Sequence, residues 1–94
     1  GIDRNDVFKY LSLGSADSFA LRRHGEHITS GEYPTDRFPT TYSHKDLGYV
    51  LDLASELGVD AAGASLVQDR FEEVIRRGLG NFYSPVIYRL FEDE

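Results

Sequence analysis

The chain contains no cysteine, methionine or tryptophan, and only three of its 94 residues are prolines. Without cysteine it can form neither a disulfide nor the thiolate-rich site of a zinc finger. It has no stretch approaching the roughly 20 apolar residues of a membrane span, and no basic segment followed by an apolar core indicates a signal peptide. These absences argue against a disulfide-stapled or membrane-spanning protein, and we predict a cytoplasmic one.

The chain also lacks an excess of basic residues. Lysine and arginine number 10 against 16 aspartates and glutamates, which gives a formal net charge of −6 at pH 7. Proteins that bind a nucleic-acid backbone or an anionic membrane usually carry the opposite charge. The sequence therefore predicts neither nucleic acid nor membrane as a partner.

What is present is the composition of a small globular domain. The hydrophobic fraction is 40% and the charged fraction 28%, which argues against disorder. Because 94 residues are enough for one domain, residues 1–94 are predicted to form a single one. Since the chain opens at Gly1 and holds no methionine, we expect a processed chain or a piece of a larger protein.

The apolar residues recur with a helical period along most of the chain. Asp3 is suited to cap a first helix, which Gly14 ends. Ser15 can cap a second helix that runs to about His24, and Gly25 then predicts a break.

A loop and three further helices are predicted in the second part of the chain. Residues 31–42 hold two prolines and no helical period, which is typical of a loop. A helix capped by Ser43 is predicted over 45–57, a second over 63–77, and a third capped by Ser84. The apolar stripe of the 45–57 helix consists of Leu47, Val50, Leu51, Ala54 and Leu57. No strand pattern competes, so the sequence predicts an all-α, compact bundle of about five short helices.

The polar clusters of the chain favour solvated surfaces over sites. His24 and His27 are separated by Gly25 and have no third ligand at a suitable spacing, so we predict two solvated histidines and no metal. Acids and arginines alternate on the polar face of the 63–77 helix, which predicts ion pairs in water. The residues of that face are Gln68, Asp69, Glu72, Glu73, Arg76 and Arg77. No glycine-rich phosphate loop and no nucleophile elbow occurs in the chain.

The candidate site lies at Lys45 and Asp46. Both residues fall in the first turn of the predicted 45–57 helix, where a lysine opposes the helix dipole. A lysine beside unpaired backbone N–H groups suits an anion such as a phosphate or carboxylate, and the aspartate could orient a second cation. The alternative is a surface lysine next to a capping-type aspartate.

Several motifs occur in a fixed order along the chain. They are Gly1-Ile2-Asp3, Phe19-Ala20-Leu21 with His24-Gly25, Gly31-Glu32-Tyr33 followed by Phe38, Lys45-Asp46-Leu47 followed by Leu51 and Ala54, Leu57-Gly58-Val59, and Arg77-Gly78-Leu79-Gly80. In this order and spacing the chain resembles the C-terminal helical domain of the β-hydroxyacid dehydrogenase family, the 3-hydroxyisobutyrate dehydrogenase-like enzymes. The more distant 6-phosphogluconate dehydrogenase has a similar domain. The resemblance implies this C-terminal all-α fold without the Rossmann domain.

The resemblance also implies a chemistry. Members of the family move a hydride between NAD or NADP and the alcohol carbon of a short hydroxy acid, or they reduce a semialdehyde. By resemblance, Lys45 binds the cofactor near its nicotinamide half, and Asp46 supports catalysis by pairing with the catalytic lysine. Phe38 takes the place of the aromatic residue of the substrate pocket.

The chain departs from the family pattern in several places. The helix that supplies the catalytic lysine is absent, and Lys9 is in the wrong context to replace it. Gly80-Asn81-Phe82-Tyr83 stands where the family has an acidic G-D-x-D stretch, and His44 replaces an apolar residue. Pro39, directly after Phe38, should alter the loop.

Two interpretations follow. In the first, the chain is the C-terminal cleft and dimerisation domain of an NAD(P)-dependent 3-hydroxyacid dehydrogenase or semialdehyde reductase, and it is inert in isolation. In the second, it is a non-catalytic helical module that associates with itself, as a homo-oligomer and most simply as a dimer, because a small bundle that lacks one wall exposes apolar surface.

Overall fold

The computed structural model describes residues 2–92, and over that range the chain is helical and contains no strand. The helices are α1 (Arg4–Leu13), α2 (Phe19–Ser30), α3 (Thr40–Leu57), α4 (Ala62–Arg76) and a final 3-10 helix, α5 (Ser84–Phe91). The prediction of an all-α fold with about five helices is confirmed. Gly1, which opens the first motif, lies outside the described residues. No helix within the described range is long and apolar enough to cross a membrane.

The chain forms two compact units, one that runs up to Tyr33 and one that begins at Pro34. In the first unit α1 packs against α2. Asp3 caps α1 and Gly14 ends it, as predicted from the sequence. The prediction of one domain over the whole chain stays a prediction.

The second helix begins and ends at other residues than predicted. Its N-cap is Ser18, whose hydroxyl oxygen accepts a hydrogen bond from a backbone amide of the first turn, and not Ser15. The helix continues through Gly25, where a break was expected, and ends at Gly31 in a left-handed conformation. The ring of Phe8 on α1 lies so close to Gly25 that a methyl group there would overlap it. The glycine therefore serves the contact between two helices and does not end one.

The second unit holds most of the buried core residues. Val74 on α4 and Val86 on α5 are almost wholly buried, and so is Thr40 at the start of α3. Helices α3 and α4 pack together, and α5 contacts both of them. Tyr83, just before α5, is also buried, and its amide donates a hydrogen bond to the carbonyl oxygen of Pro34 at 2.8 Å.

Helix α3 begins earlier than its sequence predicts, inside the segment read as a loop. The amide of Thr40 donates to the carbonyl oxygen of Phe82 at 2.9 Å, and the amide of Thr41 donates to that of Gly80 at 3.1 Å. These distant carbonyls satisfy the first-turn donors that a capping side chain would otherwise satisfy. The prediction of Ser43 as the cap is therefore wrong.

The ends of the other helices follow the predicted pattern in part. Gly58 adopts a left-handed conformation with φ 68° after α3, as expected of a C-terminal glycine. Helix α5 begins at Ser84 but has no side-chain cap, so the predicted capping by Ser84 is wrong. Pro85 lies in its first turn as predicted, where a missing N–H leaves no bond unmade.

Candidate functional site

Lys45 and Asp46 lie side by side in the second turn of α3, and both residues are exposed. The side chain of neither residue forms a hydrogen bond or an ion pair with another residue in the described range 2–92. Successive residues of an α-helix differ by about 100° around its axis. The two opposite charges therefore share a turn and project in different directions from it.

The backbone donors expected beside Lys45 lie elsewhere and are already bonded. The first-turn amides of α3 belong to Thr40 and Thr41, which donate to carbonyl oxygens of the segment before α5. The expectation that Lys45 adjoins unpaired amides is wrong, because α3 begins five residues earlier than predicted. Any anion at this turn would be held by the lysine side chain and not by a helix N-terminus.

Aromatic side chains flank the charged pair. Phe38 is 46% exposed and packs edge to face against Tyr42, with ring centroids 5.7 Å apart and an interplanar angle of 77°. Tyr42 lies four residues before Asp46 and Tyr49 three residues after it, so the three share one face of α3. The sequence pointed to Phe38 but not to the two tyrosines.

The same face of α3 continues as an apolar surface. We call it the outward face, and it consists of Tyr42, Tyr49, Val50, Leu53 and Leu57, each of which is more than half exposed. The apolar stripe predicted for this helix is divided between two sides. Leu47, Leu51 and Ala54 are half-buried, whereas Val50 and Leu57 are exposed. A contiguous apolar surface of this kind usually marks a contact site.

On its other side α3 is tied to α4 by polar contacts. Gln68 on α4 is only 9% exposed, and its side-chain amide donates a hydrogen bond to the carbonyl oxygen of His44 at 2.8 Å. The Nε2 atom of His44 lies 3.4 Å from Oε1 of Glu72, one turn further along α4. The placement of Gln68 on the polar face was wrong. Gln68 precedes the half-buried Phe71 by three residues, and this helical spacing could have indicated that both lie on the same buried face of α4.

The histidines of α2 do not gather a metal centre. Within residues 2–92 no group of three or more histidines and acids could hold a metal ion. His27 Nδ1 lies 3.0 Å from the carbonyl oxygen of Glu32, which occupies one ring nitrogen. Burial, followed by the charges of His27 and Arg23, lowers the pKa of His24 below its usual 6.5.

The polar face of α4 carries the expected ion pairs at Glu73. Its carboxylate accepts a hydrogen bond from Nε of Arg77 at 3.1 Å and another from Arg76. These hydrogen bonds lower the pKa of Glu73 below its usual 4.5, and the one from Arg77 has the larger effect. For this residue the prediction of an ion-paired surface is confirmed.

A family model described as NAD-binding of NADP-dependent 3-hydroxyisobutyrate dehydrogenase matches residues 1–89. The match spans both units of the chain and includes Phe38, Lys45 and Asp46.

Individual proteins are similar over nearly the whole chain. The uncharacterized oxidoreductase YkwC of Bacillus subtilis (strain 168) is 25% identical over 91 residues, which are 97% of this chain and 31% of that protein. The crystal structure of 3-hydroxyisobutyrate dehydrogenase (ygbJ) from Salmonella typhimurium has the same fold, with a TM-score of 0.89 and 24% identity. That match covers 97% of this chain and 32% of the other. The chain thus spans about a third of the length of each relative.

Proposed function

This chain belongs to the family of the NAD-binding region of NADP-dependent 3-hydroxyisobutyrate dehydrogenase, and on that premise we propose that it forms one wall of a dehydrogenase cleft. The enzyme would be an NAD(P)-dependent 3-hydroxyacid dehydrogenase or semialdehyde reductase, which we expect in the cytoplasm. The chain would act as its C-terminal domain, with a small hydroxy acid or semialdehyde as the substrate.

The observation that carries the proposal is the exposed Lys45–Asp46 pair, one helical turn after Tyr42, whose ring packs against the half-exposed ring of Phe38. An ammonium group attracts the phosphates of a dinucleotide or the carboxylate of a substrate, so we assign Lys45 to cofactor binding. A carboxylate favours a neighbouring cation in its charged form, so we assign Asp46 to pairing with a catalytic lysine on another part of the protein. Phe38 lines the substrate pocket. NAD or NADP, when bound, supplies or takes up the hydride.

The proposal implies that the 94 residues alone are catalytically inert. They contain no glycine-rich turn for a dinucleotide pyrophosphate. Their only other lysine, Lys9, lies on α1 in the other compact unit. Turnover by the purified 94-residue chain would contradict this part of the proposal.

The decisive test uses the protein extended upstream of Gly1. Its oxidation or reduction of NAD(P)H would be followed by absorbance with short 3-hydroxy acids and semialdehydes. We expect Lys45→Ala and Asp46→Ala each to lower kcat/KM by about 100-fold or more, on the scale of lost charge stabilisation. Lys9→Ala and Asp52→Ala, which remove exposed charges outside the proposed site, are the matched controls.

The outcomes separate the family from the site. If both site variants remain active, the proposal of a dehydrogenase stands, but the roles assigned to Lys45 and Asp46 are wrong. Activity that falls equally in the control variants would indicate a general loss of charge or stability. No turnover with any substrate would favour the second candidate function.

That second candidate is self-association, and the outward face of α3 is the observation that favours it. An antiparallel pair of α3 helices would bury the apolar residues of the outward face against each other. In this alternative a second copy, and not another domain, covers the face.

Analytical sedimentation of the 94-residue chain tests whether a second copy of the chain covers the outward face. We expect a concentration-dependent dimer that Leu53→Lys abolishes, because Leu53 lies at the centre of the outward face and is 54% exposed. Leu66→Lys on α4 changes a leucine of similar exposure, 56%, outside that face and should leave the dimer intact. A monomer at every concentration would overturn self-association.

A further inference from the structure

The rotation of α3 about its own axis is not set by its apolar residues. Leu47 and Leu51 are half-buried on the side that faces the core, while Tyr49 and Leu53 are exposed on the outward face. Burial of apolar surface is non-directional. Because α3 has apolar residues on both sides, the hydrophobic effect distinguishes its sides less sharply than it does on a helix with a single apolar stripe, and other interactions contribute to the choice.

The first turn of α3 is held by the hydrogen bonds of its amides to the segment before α5, and polar contacts between α3 and α4 add to that selection in the second turn. The Nε2 group of Gln68 donates to the carbonyl oxygen of His44 at 2.8 Å across 24 residues of sequence. Glu72, four residues after Gln68 and on the same side of α4, reaches the imidazole of the same histidine at 3.4 Å. The orientation of the Gln68 amide is fixed, since a carbonyl oxygen accepts only a donor and the flipped amide would oppose two oxygens.

The burial of Gln68 is not explained by a gain in the stability of the folded state. Its Oε1 atom is fully buried and has no hydrogen-bond partner among residues 2–92, and a buried acceptor without a partner destabilises the folded state. The His44 carbonyl lies inside α3, where a helix satisfies such groups by its own amides. An apolar side chain of the same length would remove the unpaired acceptor and leave no group unsatisfied.

We propose that Gln68 is a positioning residue, which helps to fix the rotation of α3 by its hydrogen bond to His44 and so keeps Lys45 and Asp46 off the side that faces α4. At about 100° per residue, Lys45 stands 100° from His44 and Asp46 about 200° from it, which is nearly the opposite side of the helix. The inference rests on the proposed function of the Lys45–Asp46 pair, and it adds a residue that touches neither cofactor nor substrate.

The first test measures rotation and stability in the 94-residue chain. In the wild type, NMR should detect a scalar coupling between the side-chain nitrogen of Gln68 and the carbonyl carbon of His44. In Gln68→Met, the urea midpoint should be unchanged or higher, while the amide signals of Lys45 and Asp46 broaden or double as α3 samples more than one rotation. Glu72→Gln, which retains an oxygen that can face the imidazole, is the control and should leave those signals single.

An absent coupling would overturn the inference. So would a Gln68→Met chain that is less stable yet keeps single, unshifted signals at Lys45 and Asp46, because that result describes a residue with a structural role only.

The second test uses the protein extended upstream of Gly1. We expect Gln68→Met to lower kcat/KM by about 10-fold at an unchanged melting temperature, which a loss of folded protein would not produce. Arg70→Met, at an exposed position of α4, is the matched control. Full activity of Gln68→Met would overturn the inference and leave the proposed function intact. No turnover by the wild type would overturn the proposed function, and the NMR experiment still decides whether Gln68 sets the rotation of α3.

Discussion

Gly25 and Gly63 both lie inside helices, but only Gly25 is pressed against a neighbouring helix. A methyl group at Gly25 would overlap the ring of Phe8, whereas nothing lies within 4 Å of the same group at Gly63. We expect Gly25→Ala to lower the free energy of unfolding by about 1–3 kcal/mol through overpacking. Gly63→Ala should raise it by about 0.5–1 kcal/mol, since alanine favours the helix. Urea denaturation of the two variants measures both changes, and shifts of the same sign would contradict this account.

Single residues also show which parts of the candidate site a sequence indicates and which it does not. The sequence pointed to Lys45 and Asp46 through an unusual charge pattern and a family motif, and both side chains are exposed as a cleft residue requires. Their roles stay predictions. Gln68 was missed because it precedes the charged Asp69, so it continues a polar run in the sequence. Only the crossing of two helices makes it the buried contact of His44.

At the scale of an element, the start of α2 distinguishes two serines. The hydroxyl oxygen of Ser18 accepts a hydrogen bond from the amide of Leu21 at 2.9 Å, and Ser15 lies outside the helix. We expect Ser18→Ala to lower the free energy of unfolding by about 1 kcal/mol, the usual worth of such a cap. Ser15→Ala should leave it unchanged. Thermal unfolding of both variants measures the two changes. Equal losses of stability in the two variants would contradict the assignment of Ser18 as the only cap.

The ends of α3 explain why one helix boundary could be predicted and the other could not. Gly58 ends the helix by its own left-handed conformation, which is a local property of glycine. The start depends on the amide of Thr40 and the carbonyl of Phe82, which are 42 residues apart. No local pattern reports a hydrogen bond of that range, so the sequence predicts a cap at Ser43, which lies inside the helix.

At the scale of the whole molecule, we expect the stability of the fold to depend on pH through His24 and Glu73, among the residues 2–92. The pKa of His24 is below 6.5 in the folded state, mainly because of burial, so the unfolded chain takes up a proton more readily. Its contribution to stability is present above pH 6.5 and is lost as the pH falls through the lower, folded pKa. The pKa of Glu73 is likewise lowered from 4.5, by Arg77 and Arg76, so its contribution is lost at more acidic pH.

The pH dependence of unfolding separates these groups. We expect His24→Gln to flatten the fall in the urea midpoint over the window below about pH 6.5, and Glu73→Gln to flatten it only below about pH 4.5. A profile of His24→Gln parallel to the wild type would show that His24 is not the titrating group.

The sequence by itself determined the all-helical class and the approximate number of helices. It also determined the aspartate and glycine that bound α1, the glycine that ends α3, and the family motif around Lys45. The helical class and the helix ends follow from interactions between residues a few positions apart, which do not depend on the rest of the chain, whereas the motif is given by its resemblance to the family. Only the tertiary structure decided that Gly25 serves a helix contact, that α3 begins at Thr40 and that Gln68 is buried against His44. Each of these depends on where a second segment of the chain packs. Such contacts join residues that are far apart in the sequence, so no local pattern of residues predicts them.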